Sequence, residues 1–186
     1  VGIYGKGGAG LANALNQQHR IDVIQGNFAK AYGVIGGYIT GSKSLVDYIR
    51  SFASGFIFTT SLPPMVANAA ISSIKILQEA DDLRNQLWEN VNLLKNLLAK
   101  TQVNYHNTPS HIVPIVIGDA NACKDFTDAL LYDFGIYVQP INYPTVPRGQ
   151  ERLRLTVTPL HTKEMIYDMV NALSSLWEKF FMKMAG

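Results

Sequence analysis

The chain has 186 residues, enough for one large domain or one and a half ordinary ones, and long enough to bury a substantial core. Hydrophobic residues make up 47% and charged residues 16%, the balance of a globular protein, and no apolar run approaches the roughly 18 residues that span a bilayer. A formal charge of +2, carried by scattered lysines and arginines, gives no basic surface, so neither nucleic acid nor a membrane is expected as a partner.

The single cysteine, Cys123, excludes an internal disulfide and fits a reducing compartment. Its setting, "NACKDF", reads as a helix start around a buried structural thiol. Val1 opens in mid-pattern, with neither an initiator methionine nor a signal-peptide layout, as expected of part of a longer polypeptide.

In chain order, "VGIYGKGGAGLANAL" is a glycine-rich loop entering a short helical turn, without the G-x-G-x-x-G or G-K-[ST] spacing of a nucleotide loop. "IDVIQG" and "GVIGGYIT" read as buried strands. "SKSLVDYIRSF" has a serine cap followed by Leu45, Val46, Ile49 and Phe52 at helical spacing. "SGFIFTTSLPP" is strand-like and ends at Pro63 and Pro64, which suit a helix entrance because their missing N–H groups would be orphans there. From Met65 to about Lys100 the pattern predicts one long helix or two in series, with an apolar stripe through Ile71, Ile74, Ile76 and Leu77, then Leu83, Leu87, Val91, Leu94 and Leu98.

Beyond residue 101 the sequence predicts a strand at "HIVPIVIGD", a helix at "ANACKDFTDALLYDFG" stopped by Gly135, and a short strand at "IYVQPI". A proline-braced loop, "NYPTVPRG", leads to a half-buried strand, "QERLRLTVTP", and then to a closing amphipathic helix over Met165, Ile166, Met169, Val170, Leu173 and Leu176. This order makes a compact α+β layer. The domain boundary is expected inside the helical stretch, giving units 1–76 and 77–186.

Three segments carry candidate chemistry. Lys30 lies between Ala29 and Ala31 among glycines, where desolvation would favour the neutral amine that condenses with an aldehyde, and where small neighbours leave room for a flat ring. The alternative is a loop ammonium reaching water. Thr59, Thr60 and Ser61 put three hydroxyls before a proline-initiated helix, a ready anion site; equally, Ser61 alone would be a simple cap. In "YPTVPRGQERLRLTVTP", prolines and Gly149 hold Thr145 and Arg148, and Arg152 and Arg154 share a strand face opposite Leu153 and Leu155. A cleft arginine there would grip a carboxylate bidentately; taken alone, solvent-exposed pairing with acids is the simpler outcome. His19, His106, His111 and His161 show no ligand spacing, so no metal site is expected, and His161 reads as local to a helix cap.

Together, "QGNFAKAYGVIGGYI", "SFASGFIFTTSLPP" and "GIYVQPINYPTVPRGQERLRLTVTPLH" resemble the C-terminal half of the 5-aminolevulinate synthase family, within the pyridoxal-phosphate-dependent α-oxoamine synthases. The resemblance covers essentially the whole chain. It implies an α/β fold: the remainder of the large, mainly parallel-sheet domain of a fold-type I transferase, over 1–76, followed by a small α+β domain over 77–186. It implies condensation of glycine with succinyl-CoA to 5-aminolevulinate, CoA and CO2, in a homodimer with shared sites, in the bacterial cytoplasm or the mitochondrial matrix.

Residue by residue, the resemblance gives Lys30 the role of cofactor-carrying lysine and acid/base at the glycine α-carbon. Thr59 and Thr60 match hydroxyls that reach the cofactor phosphate of the neighbouring subunit. Arg154 matches the glycine-carboxylate arginine, and Thr145 a contact to the succinyl carboxylate. Asn27 stands where the family has a phosphate-binding threonine. The family's aspartate on the pyridinium nitrogen and its ring-stacking histidine fall before the position of Val1, so the 186 residues alone are expected to have little or no synthase activity.

Overall fold

The structure, a computed structural model, describes residues 1–182; the last four residues of the expected second domain lie outside the described residues. The chain folds as two compact units, Val1–Asp82 and a second beginning at Leu83. The division falls after residue 82 rather than at residue 76. Its origin is local: helix α4 (Pro64–Glu79) ends at Ala80, whose ψ of 44° leaves the helical range, and α5 (Asp81–Leu98) starts afresh with two aspartates in its first turn.

The first unit opens with a single 3-10 turn at Lys6–Gly8 and α1 (Leu11–Ala14), folded back by hydrogen bonds from the Gly2 N–H to the Gly8 carbonyl and the Gly10 N–H to the Tyr4 carbonyl, each 2.7 Å. Strands β1 (Val23–Asn27) and β2 (Gly37–Gly41) then pair antiparallel, from Val23 opposite Gly41 to Asn27 opposite Gly37. The first strand forms where the sequence placed it, the second only from Gly37 because residues 33–36 belong to the loop before it, and neither is buried as expected. A two-stranded ribbon has a free edge on each side, and here helix α2 (Lys43–Phe52) covers part of it, with Leu45 over Gly41. Ser42 caps α2, accepting from the Leu45 N–H at 3.3 Å.

"SGFIFTTSLPP" is not a strand. Its first residues form a helical turn, α3 (Ser54–Ile57), and the Thr59 hydroxyl donates back to the Gly55 carbonyl at 2.6 Å. An apolar run this short has no period long enough to separate helix from strand. Pro63 and Pro64 occupy the N-cap and first position of α4 as expected; Ser61 does not cap it. The predicted apolar stripe splits at the break: Ile71, Ile76 and Leu83 are exposed, whereas Leu87, Val91, Leu94 and Leu98 are buried.

The second unit holds nearly all of the core. Strands β3 (Ile112–Val116), β4 (Gln139–Ile141) and β5 (Arg152–Thr156) form an antiparallel sheet in the order β3-β5-β4. Val113 faces Leu155 and Ile115 faces Leu153, all at most 2% exposed. Helix α6 (Ala120–Phe134) is capped by Asp119 and stopped by Gly135 in the left-handed conformation at φ 69°. Helix α7 (Lys163–Trp177) is capped by Thr162 and buries Ile166, Val170, Leu173 and Leu176. Phe126, fully buried, packs edge-on to Trp177 at 6.3 Å. Each such side chain contributes about 1.5–3 kcal/mol by leaving water. The α/β class stands, and every ladder among the described residues is antiparallel.

Candidate functional site

Lys30 sits in the connection between β1 and β2. That loop is closed at its base by the Phe28 N–H donating to the Gly36 carbonyl at 2.9 Å and the Val34 N–H donating to the Phe28 carbonyl at 3.0 Å. The Phe28 ring braces it from inside, 5.6 Å from Tyr32 and 5.4 Å from Tyr38. Tyr38 lies so close over Gly26 that a Cβ there would meet the ring at 2.2 Å, so only glycine admits the aromatic at that place. The arrangement leaves a cavity of about 330 Å³ with small-residue walls, including Ala9, Gly10, Ala12, Gly26 and Ala31. Asn27 and Lys30 both line it.

Lys30 is exposed. The desolvation expected from its apolar neighbours is not supplied within this unit, because alanine and glycine are too short to reach past a lysine and exclude water. Among the described residues nothing hydrogen-bonds the Lys30 amine or the Asn27 amide, so both are available to a ligand.

Thr59 and Thr60 are exposed and line none of the described cavities. They precede α4, whose first N–H groups have only the Pro63 carbonyl behind them. Asn27 and Lys30 are thus brought to one cavity, while the two threonines stand apart from it.

In the second unit, the alternation of β5 turns Leu153 and Leu155 to the core and Arg154 outward. Arg152 is engaged locally, its Nε donating to the Gln150 carbonyl at 2.8 Å and its Nη2 to Gln150 Oε1 at 3.1 Å. The Arg154 guanidinium forms no hydrogen bond or ion pair with any described residue, and Arg154 lines a cavity of about 490 Å³ with Tyr137, Gln139, Thr156 and His161. Among the described residues neither arginine pairs with an acid. Thr145 is exposed in the loop after β4, its N–H donating to the Asn142 carbonyl at 2.9 Å; Tyr143–Pro144 is cis, and Arg148 lies 5.0 Å over the Tyr143 ring.

Cys123 is fully buried in α6. Burial first, then the Glu151 and Asp119 carboxylates, push its thiol up to about 11, as fits a structural cysteine and not a nucleophile. Among the described residues no cluster of three or more His, Cys, Asp or Glu could hold a metal, and no helix is long and apolar enough to cross a membrane.

Sequence reasoning missed Asn90, 2% exposed on the buried face of α5, and Tyr38 over Gly26. The signal for Asn90 was an amide interrupting the Leu87–Val91–Leu94 stripe.

The model of the aminotransferase class I and II family matches residues 2–173. Curated relatives named 5-aminolevulinate synthase include that of Rhizobium meliloti, 53% identical over 179 residues, and that of Rickettsia conorii, 50% identical over 186. These alignments cover 96% and 100% of the chain but 44% and 45% of the relatives, so the chain spans less than half their length. Among solved structures, S. paucimobilis serine palmitoyltransferase with a bound PLP–myriocin aldimine superposes with a TM-score of 0.87 at 29% identity, over 96% of this chain and 45% of that one. Francisella tularensis 8-amino-7-oxononanoate synthase gives 0.83 at 26%, over 96% and 52%. The resemblance read from the three segments is borne out, as is the fold class, and the chain belongs to the aminotransferase class I and II family.

Proposed function

We propose that the chain is the C-terminal portion of a pyridoxal-phosphate-dependent acyltransferase that condenses glycine with succinyl-CoA to 5-aminolevulinate, CoA and CO2, the first step of tetrapyrrole and heme synthesis. The observation that carries this reading is identity of about half along the chain to several bacterial 5-aminolevulinate synthases. The activity belongs to the whole protein, of which the relatives' lengths make this the smaller part; the 186 residues alone are not expected to perform it.

The first unit fits the cofactor. Its 330 Å³ cavity has small-residue walls against which a flat ring can lie, a primary amine at Lys30 and an amide donor at Asn27. Pyridoxal phosphate, when bound, supplies an aldehyde for an amine and a conjugated ring that takes up electron pairs. Lys30 holds it and moves a proton at the glycine α-carbon. Asn27 would hold the cofactor phosphate through its amide in place of a hydroxyl, and Thr59 and Thr60, as hydroxyls before a helix N-terminus, would serve the phosphate of a neighbouring subunit in a homodimer, Thr59 by giving up its bond to the Gly55 carbonyl.

Arg154, with its guanidinium uncommitted, binds the glycine carboxylate and so fixes which α-carbon bond is weakened, a positioning effect. Thr145, on the braced loop, contacts the succinyl carboxylate. Glycine and succinyl-CoA are the partners in this reading, and its bacterial relatives favour the cytoplasm as the compartment.

The test is a donor panel on the whole protein. With glycine, succinyl-CoA is expected to give 5-aminolevulinate in preference to other acyl-CoA thioesters; preference for a long-chain thioester with another amino acid would assign the protein to a sibling acyltransferase.

A further inference from the structure

We propose that His161 and Asn90 are positioning residues that hold the end of β5 as the wall of the Arg154 cavity, an inference that rests on reading Arg154 as a carboxylate site. The alternation of β5 continues past its last ladder residue: Val157 is buried and Thr158 exposed, so Arg154, Thr156 and Thr158 form one outward row. At Thr158 the chain turns. The His161 N–H donates to the Thr158 carbonyl at 3.2 Å and the Leu160 N–H to the Thr158 hydroxyl at 3.3 Å.

Two side chains lock that turn from opposite directions. The Thr158 N–H donates to His161 Nδ1 at 3.0 Å, which requires a ring with Nδ1 unprotonated and, in the neutral form, its hydrogen on Nε2. From α5, Asn90 Nδ2 donates to the carbonyls of Thr158 at 2.9 Å and His161 at 2.8 Å, while Asn90 Oδ1 accepts from Gln86 Nε2 at 3.1 Å. Every polar atom of this 2% exposed amide is therefore used, across sequence separations of 68 and 71 residues. Both carbonyls it grips belong to the two ends of the turn, and His161 itself lines the cavity with Arg154 and Thr156.

A residue serving stability alone would change the melting temperature without changing the cavity. The clamp instead predicts that ligand binding follows the Nδ1 acceptor. In the 15N-labelled whole protein with its cofactor, glycine is titrated while the Arg154 Nε–H and histidine ring signals are followed by NMR, with methylammonium as the cation control.

His161→Asn, which offers an amide oxygen near the place of Nδ1, is expected to bind glycine as the parent does. His161→Phe, which keeps the ring shape without the acceptor, and Asn90→Ala are expected to weaken binding about fivefold, the effect of losing one hydrogen bond's worth of order. If Asn90→Ala fails to fold, the Asn and Phe pair at 161 decides.

Equal binding by His161→Phe and the parent overturns the proposal. So does loss of binding in His161→Asn equal to that in His161→Phe, since the ring would then act other than through Nδ1. If Arg154 responds to glycine but the clamp variants behave as the parent, the inference fails alone. If Arg154 does not respond at all, its carboxylate reading fails and the inference falls with it.

Discussion

At the scale of single residues, Lys30 and Cys123 have opposite outcomes, each against what its immediate sequence neighbours suggest. Lys30 lies between two alanines and stays exposed at a loop, whereas Cys123, followed by Lys124 and Asp125, is fully buried on the inner face of α6. The thiol, held at about 11 against its ordinary 9.0, stays protonated in the folded chain while an unfolded one ionises. Its contribution to stability is thus present below pH 9 and is lost as pH rises toward 11. Native protein at pH 8 is expected to resist iodoacetamide at Cys123 and to react promptly in guanidinium, as followed by mass spectrometry. Equal rates in the two conditions would contradict its burial.

At the scale of elements, α5 and β5 organise the second unit, and their truncation is costly. Leu94→Ala, at a fully buried position of α5, is expected to destabilise this unit by about 2–5 kcal/mol in urea unfolding, whereas Leu83→Ala, more than half exposed, is expected to cost little. Elements with their own punctuation were legible from sequence: Asp119 and Gly135 bracket α6, Thr162 opens α7, and the Leu153/Leu155 alternation defines β5's buried face. Elements without it were not. "SGFIFTT" is too short to show a period, and Val23, Ile39 and Ile71 carry the apolar character of core residues while facing solvent in this unit. Periodicity tells which side chains share a face, not what covers that face. For the candidate site, Lys30, Asn27 and Arg154 could be named from the chain, but Arg154's advantage over Arg152 rests on Gln150 engaging the latter, which spacing cannot reveal.

At the scale of the whole molecule, the two units differ in what holds them together. Among the described residues, Ala70 is the sole buried hydrophobic residue of the first unit, while the second buries residues from α5, the sheet, α6 and α7. Hydrophobic burial being the main term opposing chain entropy, the first unit has little of it to draw on. Hydrogen exchange of the 186-residue chain is expected to be much faster in β1, β2 and α2 than in α5 and β5; equal protection would contradict this asymmetry. In the proposed function everything turns on the Lys30 amine carrying pyridoxal phosphate. Borohydride reduction of the whole protein after adding the cofactor, followed by peptide mapping, is the decisive experiment: a pyridoxyl label is expected on Lys30 and is expected to vanish in Lys30→Met, whereas a label on another lysine with Lys30 unmodified overturns the assignment.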